Sequence, residues 1–165
     1  MAHVVTPAQV ISRDLDLCWF IFGNKIAEGL AAATKAGLRC DVYEAWRSPE
    51  RQAGLFAQGR TAPGNIVSWS EAWMSWHQYG CAADIVFKDA KNNWTWDGPY
   101  EKLAPIMKAQ GLEWLGPKDK PHFQLTGGMT VAEARQICQK SGVQLVWANI
   151  ITRLSNVTRS ATITH

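Results

Sequence analysis

The sequence predicts an α+β fold in which a small antiparallel sheet is flanked by helices. Helix and strand patterns follow one another without the regular strand–helix–strand alternation that a parallel sheet requires. The strand candidates are short, and polar turns separate them. The chain has 165 residues, 47% of them apolar, which is enough for one domain with a substantial core. We therefore predict a single domain over residues 1–151 and a polar, flexible tail over residues 152–165.

Capping residues place the helices. Proline at a first helical position, glycine just beyond a helix and the capping box are the signals. They give helix starts at Thr6-Pro7, Asp14, Ser48-Pro49, Pro99 and Thr130, and helix ends at Gly37, Gly59 and Gly111. The amphipathic stretch from Asp14 to Ala36 is expected to form one long helix.

Four segments have the pattern of strands, and a long loop lies between the first two. Residues 40–46 alternate and contain β-branched and aromatic side chains, and residues 82–87 form a short apolar run. Residues 112–115 and 122–125 are two further short candidates. Residues 59–70 hold glycine, proline and asparagine without a clear period, which predicts a loop.

Composition excludes several classes of protein. A net charge of +3 without a basic run argues against a nucleic-acid partner. No apolar run approaches the roughly 18 residues that a membrane span needs. The four cysteines form no CxxC pair, so we expect free thiols and no cysteine-based zinc site. The N-terminus lacks the pattern of a secretory signal, so we expect the protein to start in a cytoplasm, and we expect a monomer.

Two histidines lie inside the chain, and both have acidic residues nearby. His77 precedes Asp84 by seven residues, and His122 follows Asp119 by three. Two imidazoles and one carboxylate make a set that a catalytic zinc uses, with the fourth position left to water. The alternative is that both histidines are ordinary packed side chains and the acids are solvated. The spacing alone leaves both interpretations open.

The spacing also predicts local geometry. An odd step of seven would put His77 and Asp84 on opposite faces of a continuous strand, so a turn or bulge is expected at Gly80. Pro121 disfavours helix at Lys120, so the second segment is expected to be a loop that enters a strand. That loop would set His122 on a metal and Asp119 just outside it, where a carboxylate can accept a proton from water.

Five blocks of sequence, in order, resemble the M15 metallopeptidases, in particular the L-alanyl-D-glutamate endopeptidases of phage endolysins and bacterial wall hydrolases. The blocks lie between Tyr43 and Trp147 and comprise Trp46–Gln52 with Leu55–Thr61, Pro63–Val67, Ser75–Asp84, Gly111–Trp114 and Asp119–Phe123. One departure is the stretch Leu115–Lys118, which is shorter than in many members.

The resemblance implies a function and a set of site residues. It implies a zinc peptidase that cuts the L-Ala-D-Glu bond of cell-wall stem peptides, and a fold like that of hedgehog and D-Ala-D-Ala peptidases. It implies the following roles: zinc ligands His77, Asp84 and His122; general base Asp119; oxyanion and substrate-carbonyl partner Arg47; a position near the substrate, Ser75. We add Glu113 as an expected hydrogen-bond partner of a ligand, with a structural ion pair as the alternative. An endolysin would wait in the host cytoplasm before it reaches the wall.

Several alternatives stay open. A D-Ala-D-Ala carboxypeptidase or dipeptidase of the same group would need a pocket for a free carboxylate. A zinc-stabilised wall-binding module would need no base, so Asp119 argues against it. Arg47 has an ion pair with Glu44 or Glu50 as its alternative role. Three tryptophans before His77 could line a substrate groove or pack in the core: Trp69, Trp73 and Trp76. No role is assigned to Trp94 and Trp96.

Overall fold

A five-stranded antiparallel sheet with helices around it forms the centre of the molecule. The computed structural model describes residues 10–163, and of residues 158–163 only the backbone. The strands are β1 (Cys40–Glu44), β2 (Ala82–Lys88), β3 (Trp94–Thr95), β4 (Glu113–Trp114) and β5 (His122–Gln124). The α-helices are α1 (Phe20–Lys35), α2 (Pro49–Ala57), α3 (Tyr100–Ala109), α4 (Val131–Ser141) and α5 (Val143–Ile163). The predicted α+β class is confirmed.

The strand order places β2 at the middle of the sheet. The order is β1-β2-β5-β4, and β3 pairs with the far end of β2. All pairings are antiparallel. A bulge interrupts β1 between Val42 and Glu44, so that Glu44 lies opposite Asp84. The predicted strand 40–46 therefore ends two residues early, and the bulge turns Glu44 toward the candidate site.

The core lies between the sheet and the long helices. Phe22 and Ile26 of α1, Ile85 of β2, and Leu103 and Met107 of α3 are fully buried members of one apolar cluster. Helices α1 and α3 approach closely where α1 carries a glycine, Gly29, because a Cβ there would collide with the Met107 sulfur. Helices α1 and α3 therefore cover the face of the sheet that carries Ile85.

The long helix predicted from Asp14 to Ala36 is shorter in the structure. A 3-10 turn covers Leu15–Leu17, and α1 begins only at Phe20. Between them the chain is extended, and the Trp19 N–H donates to the Gly80 carbonyl at 3.0 Å. A tertiary hydrogen bond therefore prevents the helix from extending back from Phe20 to Asp14, although the sequence stays amphipathic there. The predicted start at Thr6-Pro7 lies outside the described residues.

Helix α5 runs through the predicted boundary at residue 151 and continues to Ile163. The polar residues beyond that point do not end the helix. The Thr152 hydroxyl, for example, donates to the Ala148 carbonyl at 3.0 Å, within the helix itself. Residues 152–163 therefore belong to a helix and not to a separate tail.

Other predicted features are present. The Thr130–Glu133 capping box forms at the start of α4. The four cysteines are free, with Cys18 and Cys81 buried. Among residues 10–163, no helix combines the length and the apolar character that crossing a bilayer demands.

Candidate metal centre

Three side chains from three different elements converge at one end of the sheet. His77 lies on a 3-10 turn, Trp76–Tyr79, Asp84 lies in β2 and His122 lies in β5. Asp84 and His122 are directly paired in the β2–β5 ladder, so their side chains share one face of the sheet. The three side chains can each offer a ligand atom such that all lie within 4.8 Å of one another. The predicted ligand set is therefore brought together in space.

Gly80 provides the turn that brings His77 back over the sheet. Its φ is +65°, in the left-handed region that glycine adopts without strain. A Cβ at this position would lie 2.8 Å from the Trp19 nitrogen. Glycine is thus required both for the conformation and for the close approach of the Trp19 backbone. The turn predicted from the seven-residue spacing is confirmed.

The buried His77 ring is oriented by a backbone carbonyl. Its Nδ1 lies 2.6 Å from the Ala45 oxygen, which can only accept, so Nδ1 carries the proton. The other ring nitrogen, Nε2, lies 3.4 Å from Asp84 Oδ1. The ring therefore turns Nε2 toward the carboxylate that would share a metal with it.

The second imidazole is oriented by a chain of side chains. Glu113 accepts a hydrogen bond from Gln124 Nε2 at 3.1 Å, so Gln124 presents its oxygen to His122 Nε2 at 3.0 Å. His122 Nε2 therefore donates, and its Nδ1 faces Asp84 Oδ1 at 3.3 Å. Glu113 reaches the ligand only through Gln124. It lies one residue further out than a direct partner of a ligand, and it also accepts from the Thr126 backbone.

The geometry fits a small divalent cation. Ligands about 2.1 Å from a tetrahedral zinc ion lie about 3.4 Å from one another. Asp84 Oδ1 lies 3.4 Å from His77 Nε2 and 3.3 Å from His122 Nδ1. The ring nitrogens on the side away from Asp84 are both held by hydrogen bonds, as is usual around metal-bound histidines, and a bound cation would replace any proton on the two nitrogens that face Asp84. These residues form a His–Asp–His metal site.

Asp84 is held in its ionised form. Burial raises the pKa of this carboxyl, but the charge of His77 and hydrogen bonds from both imidazoles outweigh burial and leave the pKa well below its ordinary value. Its second oxygen, Oδ2, accepts from Arg47 Nη2 at 2.9 Å. The carboxylate is therefore available as an anionic ligand at neutral pH.

Arg47 belongs to a buried ion-pair network behind the metal site. Besides Asp84, its guanidinium contacts Glu44 at 2.7 Å and donates to Gln52 Oε1 at 3.0 Å. Glu44 is only 1% exposed and also pairs with Arg51. The ion pair of Arg47 with Glu44, one of the two alternatives, is present. Among the described residues, Arg47 forms no ion pair with Glu50. The network fixes Arg47 beside the metal site.

One cavity of about 470 Å³ contains the predicted site. Apart from Glu113, every residue predicted for the site lines it: Arg47, Ser75, His77, Asp84, Asp119 and His122. Asp119 follows the 3-10 turn Gly116–Lys118, which occupies the shortened loop. The residue as a whole is exposed, but desolvation of its carboxyl raises its pKa, opposed by the charge of His122. A carboxylate with a raised pKa beside a metal site is suited to accept a proton.

The tryptophans divide into two groups. Trp76 is buried in the core, as the packing alternative expected, although it also borders the cavity. Trp69 and Trp96 line the same cavity and are 82% and 51% exposed. Trp73 and Trp94 do not border this cavity. Packing thus accounts for Trp76, but it does not account for the exposed rings at the cavity mouth.

Sequence reasoning missed Gln124, Glu44 and Gln52. Gln124 stands two residues after His122 in a strand, so alternation alone would have placed it on the face of the ligand. Glu44 was considered only as an ion-pair partner, because its inward turn depends on the bulge in β1. The backbone carbonyl of Ala45, which orients His77, leaves no signal in the residue type.

Comparisons with known proteins show similarity to peptidases of the cell wall. Residues 68–125 match the model of a family described as D-alanyl-D-alanine carboxypeptidase, of the M15_4 peptidase type. The chain is 33% identical over 109 residues to the peptidoglycan L-alanyl-D-glutamate endopeptidase CwlK of Bacillus subtilis. That alignment covers 58% of the chain and 65% of CwlK. The crystal structure of the L-Ala D-Glu endopeptidase ChiX of Serratia marcescens matches with a TM-score of 0.48 and 22% identity, over 71% of this chain and 89% of ChiX.

Proposed function

We propose that the chain is a peptidase of the M15 type that uses zinc to hydrolyse the L-Ala-D-Glu bond of peptidoglycan stem peptides. The observation that carries the proposal is the convergence of His77, Asp84 and His122 in one cavity with Asp119. The similarity to CwlK, an L-alanyl-D-glutamate endopeptidase, supports the choice of bond. Because the match spans less than two thirds of CwlK, the activity of the whole chain remains our proposal.

Zinc is the ion that the donor set favours. Two imidazole nitrogens and one carboxylate oxygen are the ligands of many catalytic zinc sites, which keep one position open. When bound, zinc would lower the pKa of water toward about 7 and polarise the substrate carbonyl. The cavity beside the three side chains leaves room for both water and substrate.

Asp119 would move the proton. It would accept a proton from the attacking water and then give it to the amine that leaves, so the carboxylate ends the cycle as it began. Its position in the cavity, outside the ligand set, supports this role. The raised pKa of the Asp119 carboxyl strengthens it as a base.

Arg47 would have two roles: it orients the Asp84 carboxylate, and it would contact the substrate. Its contact with Oδ2 leaves Oδ1 facing the two imidazoles, which fixes the ligand geometry. Since Arg47 also lines the cavity, its guanidinium would help to stabilise negative charge on the oxygen of the attacked carbonyl. Ser75 lines the same cavity and would contact the substrate.

The experiment that tests the proposal is product analysis of digested cell wall. We expect mass spectrometry to show new N-terminal glutamate on the stem peptides, and we expect a chelator to abolish the reaction and zinc to restore it. Products that appear equally with and without the chelator would contradict the proposal.

A D-Ala-D-Ala carboxypeptidase is the second candidate, because the family that residues 68–125 match is described by that activity. It would release free D-alanine from the end of the stem peptide and leave the L-Ala-D-Glu bond intact. The same digest separates the two activities. A non-catalytic wall-binding module is less well supported, because Asp119 has no function in a purely structural metal site.

The biological role that follows is lysis of the type carried out by endolysins. The enzyme would wait in the cytoplasm of a bacterial host and act on the wall, in the periplasm, after release. Expression in the cytoplasm should leave cells intact until the inner membrane is permeabilised, after which the culture should clear. Clearing that occurs equally in a strain producing the Asp119→Ala protein would contradict this role and an antimicrobial use of the protein.

A further inference from the structure

A row of aromatic and cationic side chains extends from the mouth of the metal cavity along the outer face of the sheet. Asp84, Val86 and Lys88 alternate along β2, so all three point to the face that carries the metal site. Lys88 is paired with Trp94 of β3, and directly opposed residues share a face. The sheet face that begins at the metal ligand therefore continues to Trp94.

Measured contacts make the row continuous. Trp96, which lines the metal cavity, meets Tyr43 edge to face with ring centroids 4.5 Å apart. The Arg13 guanidinium lies 5.9 Å from the centre of the Tyr43 ring and 5.4 Å from that of Trp94. Lys88 Nζ lies 4.5 Å from the centre of the Trp94 ring. We call these residues the aromatic strip: Trp96, Tyr43, Arg13, Trp94 and Lys88.

The strip ends at a second cavity and leaves large apolar rings in contact with solvent. That cavity has a volume of about 230 Å³, and Lys88 and Trp94 line it. Trp94 is 39% exposed and Trp96 51%. Exposed aromatic surface that joins two cavities is typical of a binding surface.

The cations of the strip are available to an anionic partner. Arg13 and Lys88 lie over aromatic rings, and within residues 10–157 neither takes part in an ion pair. A ring holds a cation in place without neutralising its charge. The strip therefore combines flat apolar surfaces with two positive charges that no ion pair neutralises within the described residues.

We infer that the aromatic strip binds the glycan strand of peptidoglycan while the stem peptide lies in the metal cavity. The negative face of an aromatic ring attracts the polarised C–H groups on the apolar side of a sugar ring. Muramic acid residues that carry no stem peptide expose a lactyl carboxylate, which Arg13 and Lys88 complement. Continuity with the cavity through Trp96 suits a peptide and a glycan that are joined covalently. The inference rests on the proposed function for the identity of the polymer.

The test is binding to glycan strands from which an amidase has removed the stem peptides. These strands lack the scissile bond, so binding is measured without cleavage, and a failure of the strip is distinguishable from a failure of the proposed activity. We expect Trp94→Ala to weaken binding about fivefold or more, since one ring contact contributes roughly 1 kcal/mol. Trp94→Phe should retain most of the affinity.

A matched control is Phe20→Ala, which removes another exposed ring, 69% exposed, that lines neither cavity. It should bind as the parent protein does, and thermal melting will verify that each variant is folded. Equal binding by Trp94→Ala and the parent would overturn the inference. So would an equal loss in Phe20→Ala, or binding that disappears at about 0.5 M salt, where charge alone is screened.

Discussion

At the scale of single residues, the imidazole rings of the site are fixed on the side away from the ion. His77 donates to the Ala45 carbonyl and His122 donates to Gln124. Each ring therefore turns its other nitrogen toward Asp84 before any ion arrives. A preformed site of this kind loses little conformational entropy when the metal binds.

Ligand and base should separate on mutation. We expect His122→Ala to lose both bound zinc and activity. Asp119→Ala should keep zinc but lose roughly 10² to 10⁴ in rate, because only the proton transfer is removed. Metal content by mass spectrometry and the rate of peptide release measure the two effects. Asp16→Ala, which removes an exposed carboxylate outside the cavity, is the control. Parental turnover by the Asp119 variant would remove this residue from the mechanism.

Gln124 should matter almost as much as a ligand. Gln124→Ala removes the acceptor of His122 Nε2 and frees the ring to rotate, and we expect zinc affinity to fall roughly 10- to 100-fold. Competition with a fluorescent chelator measures this change. Glu113→Gln keeps a hydrogen-bond acceptor for Gln124 and should have a smaller effect. An unchanged affinity in Gln124→Ala would show that the ring needs no such support.

At the scale of elements, the turn at Gly80 decides whether His77 meets the sheet. Gly80→Ala should destabilise the protein by roughly 1–3 kcal/mol and weaken zinc binding, because it adds both strain and a clash with the Trp19 backbone. Urea unfolding of the metal-free protein measures the first effect. Gly37→Ala has a similar φ, +79°, and open space around it, so it reports strain alone. Equal losses in the two variants would contradict the close-approach argument.

The start of α4 should be sensitive to acid. Backbone and side-chain hydrogen bonds from Thr130, together with Arg153, lower the pKa of Glu133 from 4.5 to about 2. A lowered pKa in the folded state stabilises the protein above about pH 4.5, and this contribution is lost as the pH falls toward 2. Melting curves of the parent and Glu133→Gln proteins should therefore differ at pH 6 and converge near pH 2. A constant difference would contradict the pKa assignment.

Sequence reasoning located the elements better than their ends. Caps such as Thr130 and turns such as Gly80 act locally, so the residues themselves reveal them. The start of α1 at Phe20 depends on a hydrogen bond from Trp19 to Gly80, in a turn far along the chain, and the end of β1 depends on a bulge. Long-range contacts of this kind leave no periodic signal.

At the scale of the whole molecule, the fold places a metal site, a proton acceptor and an exposed aromatic surface around one cavity. The metal ligands could be predicted because histidine is scarce in this chain and because the sequence blocks that contain the ligands follow the order of the M15 metallopeptidases. Strand alternation could have placed Gln124 on the face of the ligand, but its hydrogen bond to His122 and the hydrogen bond from His77 to Ala45 could not be predicted, because the first depends on Glu113 and the second on backbone position. The division of the tryptophans likewise became visible only from their exposure.

The central claim is that His77, Asp84 and His122 together hold one zinc ion. Anomalous X-ray diffraction at the zinc edge, from crystals of the full chain grown with zinc, tests it most directly. We predict a single strong peak about 2.0–2.2 Å from His77 Nε2, Asp84 Oδ1 and His122 Nδ1. Zinc bound only at other residues, or the absence of a peak between these three side chains, would contradict the claim.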